Sequence, residues 1–192
     1  AELASRAAGG HAADAVRAQD RQHNVGDERA HWLAVEAMEV NSRFLAELLP
    51  ESVLVANREQ LCATVGMADA ASVGSGRQPR PLRGTPLILL PLAFLRQEEE
   101  MGTCEPLPHT WNVTSDSIAA WVAESLAASE LVLLKSISLP EGVTFDQAAA
   151  DGLVDPHFPR VADKLPRVSW CNLREPEPRV VAWRQSSAAE PA

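Results

Sequence analysis

Asn112, Thr114, Ser115 and Asp116 bring an amide, two hydroxyls and a carboxylate together within five residues. Shortly downstream, the apolar run Leu131-Val132-Leu133-Leu134 ends on Lys135 and Ser136. The first group lies where a helical pattern begins, since Ile118, Ala119, Val122 and Leu126 recur at the spacing of one helical face. The first N–H groups of a helix have no partner within it and carry partial positive charge, so a phosphate or a carboxylate would be held there. The same residues serve equally well as an ordinary cap, with Thr114 or Ser115 accepting from those N–H groups. The apolar run reads as a strand buried on both faces, with Lys135 and Ser136 at the point where it emerges.

Other residues with chemical potential are more scattered. Gly9-Gly10 interrupts a helical pattern that resumes from Ala12 to His23. Glycines ahead of a helix let a phosphate approach the backbone, although a plain turn also accounts for them. His31 and Trp32 open a long helix, and a single histidine there reads as structural. Asn41 is the one polar member of that helix's expected buried stripe, Ala34, Ala37, Met38, Asn41, Leu45 and Leu48. Arg77, Arg80 and Arg83 lie in the Gly-, Ser- and Pro-rich stretch 66–86, which reads as a flexible surface insertion. Glu98-Glu99-Glu100 reads as a solvated face, because metal ligands need defined spacing rather than adjacency.

The 192-residue chain, 46% hydrophobic and 22% charged, is long enough to bury a substantial core. Its formal net charge of −9 argues against nucleic acid and anionic membrane as partners, while leaving room for a local cationic pocket. Cys62, Cys104 and Cys171 are odd in number and widely spaced, the pattern of a reducing compartment, and the expectation is cytoplasmic. No signal peptide or membrane span is expected. The chain opens on Ala1 close to a helical pattern, so residues upstream are expected.

In order, the elements read as helix to His23, helix from an Asp27 N-cap to Leu49, strand at 53–55, helix Arg58–Val65, strand from Leu87 to Leu90, helix after Ser115 and strand from Leu131. A short helix capped by Thr144 follows, then a brief helix from Val161 to Leu165. Two alternating strands, 167–172 and 179–184, form a terminal hairpin around Glu175-Pro176-Glu177-Pro178. Residues 186–192 read as a disordered tail. Alternating helices and apolar strands predict a single α/β domain over 1–185 with a mainly parallel sheet, whose ligands bind beyond the carboxyl ends of the strands.

The string NVTSDSIAAWVAESLAASELVLLKS resembles the carboxy-terminal half of the amino acid kinase superfamily, which includes acetylglutamate, uridylate, aspartate and carbamate kinases. GGHAADAVRAQDRQHNVGDERAHWLAVEAMEVNSRFLAELLP, DGLVDPHFP and VSWCNLR are similar to its uridylate kinase-like branch. That branch includes a kinase of aminomethylfuran phosphate in methanofuran biosynthesis. The resemblance runs over residues 8–174 outside the insertion. It implies a three-layer α/β/α sandwich, an ATP-dependent small-molecule kinase using Mg²⁺, and a homo-oligomer.

By that resemblance, Asp116 organises catalytic lysines around the transferring phosphoryl group. Asn112, Thr114 and Ser115 hold the acceptor, and the amides of Gly9 and Gly10 approach the phosphate. Lys135, Ser136, Asp151 and Asp155 lie on the nucleotide side. The chain departs from the family at Ala8, where a third glycine is usual, and at His11, in place of proline. It departs again at SISLPEG, in place of an aspartate-glycine segment, and it lacks the Lys-x-Gly-Gly-Ser loop that grips ATP. The readings are therefore an ATP-dependent kinase, a catalytically inactive kinase-fold binding or assembly protein, and uridylate kinase.

Overall fold

The computed structural model describes residues 10–65 and 85–185; Gly9, most of the 66–86 insertion with its three arginines, and the tail from 186 lie outside the described residues. Helix α1 (Gly10–His23) packs on helix α2 (Asp27–Leu48). The turn between them takes positive φ at Asn24 and Gly26, conformations that asparagine and glycine reach most readily. Strand β1 (Val53–Val55) leads through α3 (Arg58–Val65) toward β2 (Leu87–Leu89), and the two strands pair in parallel. Helix α4 (Pro91–Met101) follows, with proline in its first turn and Gly102 in the left-handed conformation at its end.

Helix α5 (Ser115–Ser125) runs into β3 (Leu131–Lys135). The short helices α6 (Phe145–Ala150) and α7 (Phe158–Ala162) then carry the chain to β4 (Arg167–Asn172), parallel to β3, and β5 (Val180–Gln185), antiparallel to β4. The molecule is thus a mixed α/β fold with one two-stranded and one three-stranded sheet. The terminal hairpin forms and Thr144 caps α6 as expected, and Gln147 completes a capping box there.

One core runs from Val35 of α2 through α5 and the crossover to Trp170 of β4. Trp121, Phe94, Phe158 and Trp170 are completely buried, and each indole finds a backbone acceptor: Trp121 the carbonyl of Glu105, Trp170 that of Ile137. Trp183 of β5 closes the aromatic cluster, 4.6 Å from the Phe145 ring and stacked on Phe158. Aromatic groups of this size supply much of the burial energy of a small core, about 2 to 3 kcal/mol each.

Several expectations change. β3 is not buried on both faces. It pairs with β4 alone among the described residues, and successive side chains point to opposite faces, so Leu133 enters the core while Leu134 stays 52% exposed. Gly26, not Asp27, is the N-cap of α2. The buried residues of α2 are Ala30, His31 and Val35; Leu48 is exposed, and no residue from Glu39 onward is buried. The final short helix starts at Phe158 rather than Val161, because Pro159 favours a first turn.

The acidic run is not simply a solvated face. It lies on α4, where Glu98 is fully buried. Its carboxylate receives both ends of the Arg58 guanidinium and the hydroxyl of Thr103. Arg58 also donates to the carbonyl of Ser125, tying α3, α4 and the end of α5 together. The arginine holds the Glu98 carboxyl below the usual carboxylate range despite burial.

Candidate functional site

The start of α5 is occupied from within the chain. Thr114 stands at the N-cap, yet its side chain makes no cap bond. The capping anion is the carboxylate of Asp155. One of its oxygens accepts from Thr114 N (3.0 Å), Thr114 Oγ1 (3.0 Å) and Ser117 N (2.9 Å). The other accepts from the Ser117 hydroxyl, from His157 N (3.2 Å) and from Phe158 N (3.0 Å). A single buried carboxylate therefore caps α5 and the start of α7 together. Thr114 is the N-cap residue, but the free N–H groups of the helix start are received by the Asp155 side chain and not by the hydroxyl of Thr114 or Ser115.

Beside this cap, Asp116 projects from the first turn of α5 to Lys135 at the end of β3, Oδ2 to Nζ 2.8 Å. Lys135 also donates to the carbonyl of Leu153 at 2.8 Å and lies 5.5 Å from the centre of the Trp170 ring. The Leu153 carbonyl is presented by a tight helix exit. Gly152, at φ +71, lets the chain reverse after α6, with Gly152 N and Leu153 N returning to Ala149 and Ala148. Burial raises the pKa of Asp116 above the usual aspartate value, against the pull of the lysine. Holding this carboxylate ionised therefore costs folding energy.

Asp116 and Lys135 form the floor of an open cleft of about 440 Å³, bounded by the turn Gly152–Pro156 and, on the other side, by Arg17, Arg21 and Trp111. The Arg17 guanidinium lies 4.7 Å over the Trp111 ring, and its Nε is buried without a partner. Its nearest carboxylate is Asp14, at 3.9 Å. Arg21 has no ion pair among the described residues. In a chain of net charge −9 this cleft carries two arginines and a lysine against Asp116 and an already saturated Asp155. Such an arrangement favours an anion with several oxygens.

A smaller, more enclosed cavity of about 180 Å³ adjoins it between α1, α2 and the 110–115 loop. Arg17, Trp111 and Thr114 line both spaces. His31, Ser115 and the apolar side chains of Val35, Met38 and Ile118 line the smaller one alone. The loop between them is pinned at two points. The Trp111 indole donates to Asp20 of α1 at 2.7 Å. His109 lies between Glu28 (2.6 Å) and Glu99 (3.2 Å), and its ring stacks on His31 at 4.4 Å.

Carboxylates on both ring nitrogens are satisfied only by the imidazolium form of His109. Burial opposes that charge, but the bonds to Glu28 and Glu99 outweigh it and raise the pKa above the ordinary histidine value. Burial, followed by the neighbouring His109 charge, lowers His31 to about 4. His31 is thus neutral at pH 7.

The anticipated site residues divide clearly. Asp116, Thr114, Lys135 and Asp155 converge on the cleft, and Ser115 lines the adjoining cavity. Asn112 is exposed and lines neither; its contribution is a carbonyl that accepts from His157 N. Asp151 is exposed at the end of α6, and Ser136 lies just past β3 without lining the cleft. Gly10 is the first residue of α1. Asp155 faces helix termini rather than a ligand. Arg17, Arg21 and Trp111, which complete the site, were not identified from the sequence.

No family model matches this sequence, and no curated protein matches it. No helix among the described residues is long and apolar enough to cross a membrane.

Proposed function

We propose that this chain belongs to an ATP-dependent phosphotransferase, a small-molecule kinase of the amino acid kinase type acting on a phosphate- or carboxylate-bearing acceptor. The three-layer sandwich with a mainly parallel sheet is part of that proposal, as is a furan phosphate of methanofuran or related C1-cofactor biosynthesis as the acceptor. One observation carries it: Arg17, Arg21 and Lys135 meet Asp116 in a single cleft where β3 ends and α5 begins.

Phosphoryl transfer asks mainly for charge neutralisation and alignment. Arg17 and Arg21 are suited to neutralising phosphate oxygens. Asp116 and the Leu153 carbonyl fix the direction of the Lys135 ammonium. Ser115 offers its hydroxyl toward an acceptor in the smaller cavity, while Thr114, whose proton goes to Asp155, offers a lone pair there. MgATP would supply the transferable phosphoryl group together with its counter-cation. Asp155 is saturated and Asp116 is paired. Among the described residues no three His, Cys, Asp or Glu side chains converge on one point, so Mg²⁺ fits here as carried on phosphate oxygens rather than in a protein cage.

A second reading is an anion-binding or assembly protein of the same fold without turnover. It is favoured by Lys135 being the only lysine of the cleft and already tied to Asp116. The two are separated by ADP release in the presence of ATP and a panel of a furan phosphate, UMP and an N-acyl amino acid. Turnover with one acceptor that falls at least about 100-fold in Asp116→Asn supports the kinase, and UMP as that acceptor makes it a uridylate kinase. ATP binding without turnover supports the second reading, and absence of both overturns the proposal.

A further inference from the structure

His31 is 5% exposed, yet neither ring nitrogen makes a hydrogen bond among the described residues. Buried polar side chains nearly always have a partner. The His31 ring is stacked on His109 at 4.4 Å, and Trp32 packs edge-on against it at 5.2 Å. It also lines the cavity of about 180 Å³ between α1, α2 and the 110–115 loop, which His109 does not. Arg17 brings a second orphan to the same cavity. Its Nε is buried without a partner, and its guanidinium rests over the Trp111 ring, with Asp14 no nearer than 3.9 Å. Asp14, the one carboxylate among the described lining residues, is 69% exposed and turned largely to solvent. Val35, Met38 and Ile118 supply an apolar wall.

We propose that this cavity binds a compound of one five- or six-membered ring, with an anionic group on Arg17 and a hydroxyl on His31, and that His31 determines its specificity. A cavity of about 150 Å³ admits benzene, so the volume here suits a single ring with small substituents. The free side of an arginine fork selects a carboxylate or a phosphate at one end of that ring. The hydroxyl at the other end follows from the state of His31. Kept neutral by burial and by the charge of His109, the imidazole has one N–H donor and one acceptor nitrogen. A hydroxyl both donates and accepts, so it pairs with whichever nitrogen faces the cavity. An analogue without it leaves that nitrogen buried and unpaired, a stronger discrimination than apolar contact supplies. Calling this ligand the phosphoryl acceptor rests on the phosphotransferase reading; the discrimination itself is a matter of binding.

Protein NMR titrations without ATP test it, with 4-hydroxybenzoate set against benzoate and 4-hydroxyphenyl phosphate against phenyl phosphate. In at least one pair the hydroxylated member should bind at least about tenfold more tightly and shift the ring nitrogens of His31. The pair that shows this names the anionic end as carboxylate or phosphate. His31→Phe keeps a stacked ring and should bind both members alike. His31→Gln, which donates and accepts, should retain most of the preference, and Arg17→Met should weaken both members about tenfold. Unchanged far-UV circular dichroism is expected in each variant. Equal affinity within both pairs, or no binding of any probe, overturns the proposal, as does a preference that survives His31→Phe. A His31→Phe variant that binds neither member places the histidine in the fold rather than in the site, and also overturns it. ADP release plays no part in these titrations, so a chain that shows the preference without turnover keeps the site and loses only its role for the acceptor.

Discussion

Asp155 shows how much one carboxylate can organise. Four backbone N–H groups from two helix starts converge on it; its replacement by alanine leaves those of Thr114 and Ser117, and the Ser117 hydroxyl, without an acceptor, while His157 N and Phe158 N keep only the backbone carbonyls of Asn112 and residue 155. With each lost cap costing about 1 to 2 kcal/mol, Asp155→Ala should destabilise the fold by about 2 to 4 kcal/mol in urea unfolding; a loss below about 1 would refute the double-cap account. The histidine pair makes a different prediction. Stability linked to the raised His109 is fully present below its unfolded value of about 6.5 and is lost as pH rises through the folded value. His31, lowered to about 4, works the other way: its contribution is present above about 6.5 and is lost as pH falls toward 4. Proton NMR of the imidazole rings should therefore show the two titrating on opposite sides of the ordinary value. A common midpoint near 6.5 would contradict the clamp. His31→Phe should remove about 1 to 3 kcal/mol of acid destabilisation between those limits.

At the scale of elements, Arg58 and Glu98 hold α3, α4 and α5 in register. Breaking such a pair strands a charge with no access to water. Arg58→Met should thus cost about 3 to 5 kcal/mol, and lowering the pH enough to protonate Glu98 should recover part of it. A loss under 1 kcal/mol would show that these helices are held mainly by apolar packing. This joint was invisible in the sequence for a physical reason. Three glutamates in a row carry no helical periodicity of their own, and only the partner 40 residues away makes Glu98 a core residue. Asp116 and Lys135 were legible because a helix start and a strand end are local patterns. Arg17 and Arg21 were not, since nothing within α1 indicates that the 110–116 loop folds against it. The burial of β3 and α2 was overestimated for a related reason: apolar content describes what a strand or helix can bury, while its neighbours decide how much is covered.

Taken as a whole, the molecule is an acidic α/β body in which one cleft gathers cations from α1 and β3 around a carboxylate of α5. That concentration of charge is the central claim, and direct binding tests it with least ambiguity. Isothermal titration calorimetry of MgATP, and separately of inorganic phosphate, should show binding that weakens at least about tenfold in Arg17→Ala/Arg21→Ala and in Lys135→Met. Both variants should stay folded, which unchanged far-UV circular dichroism checks, because Arg17, Arg21 and Lys135 all line an open cleft and none belongs to the hydrophobic core. Binding that is absent from the unaltered chain, or that persists unchanged in both variants, would contradict the account.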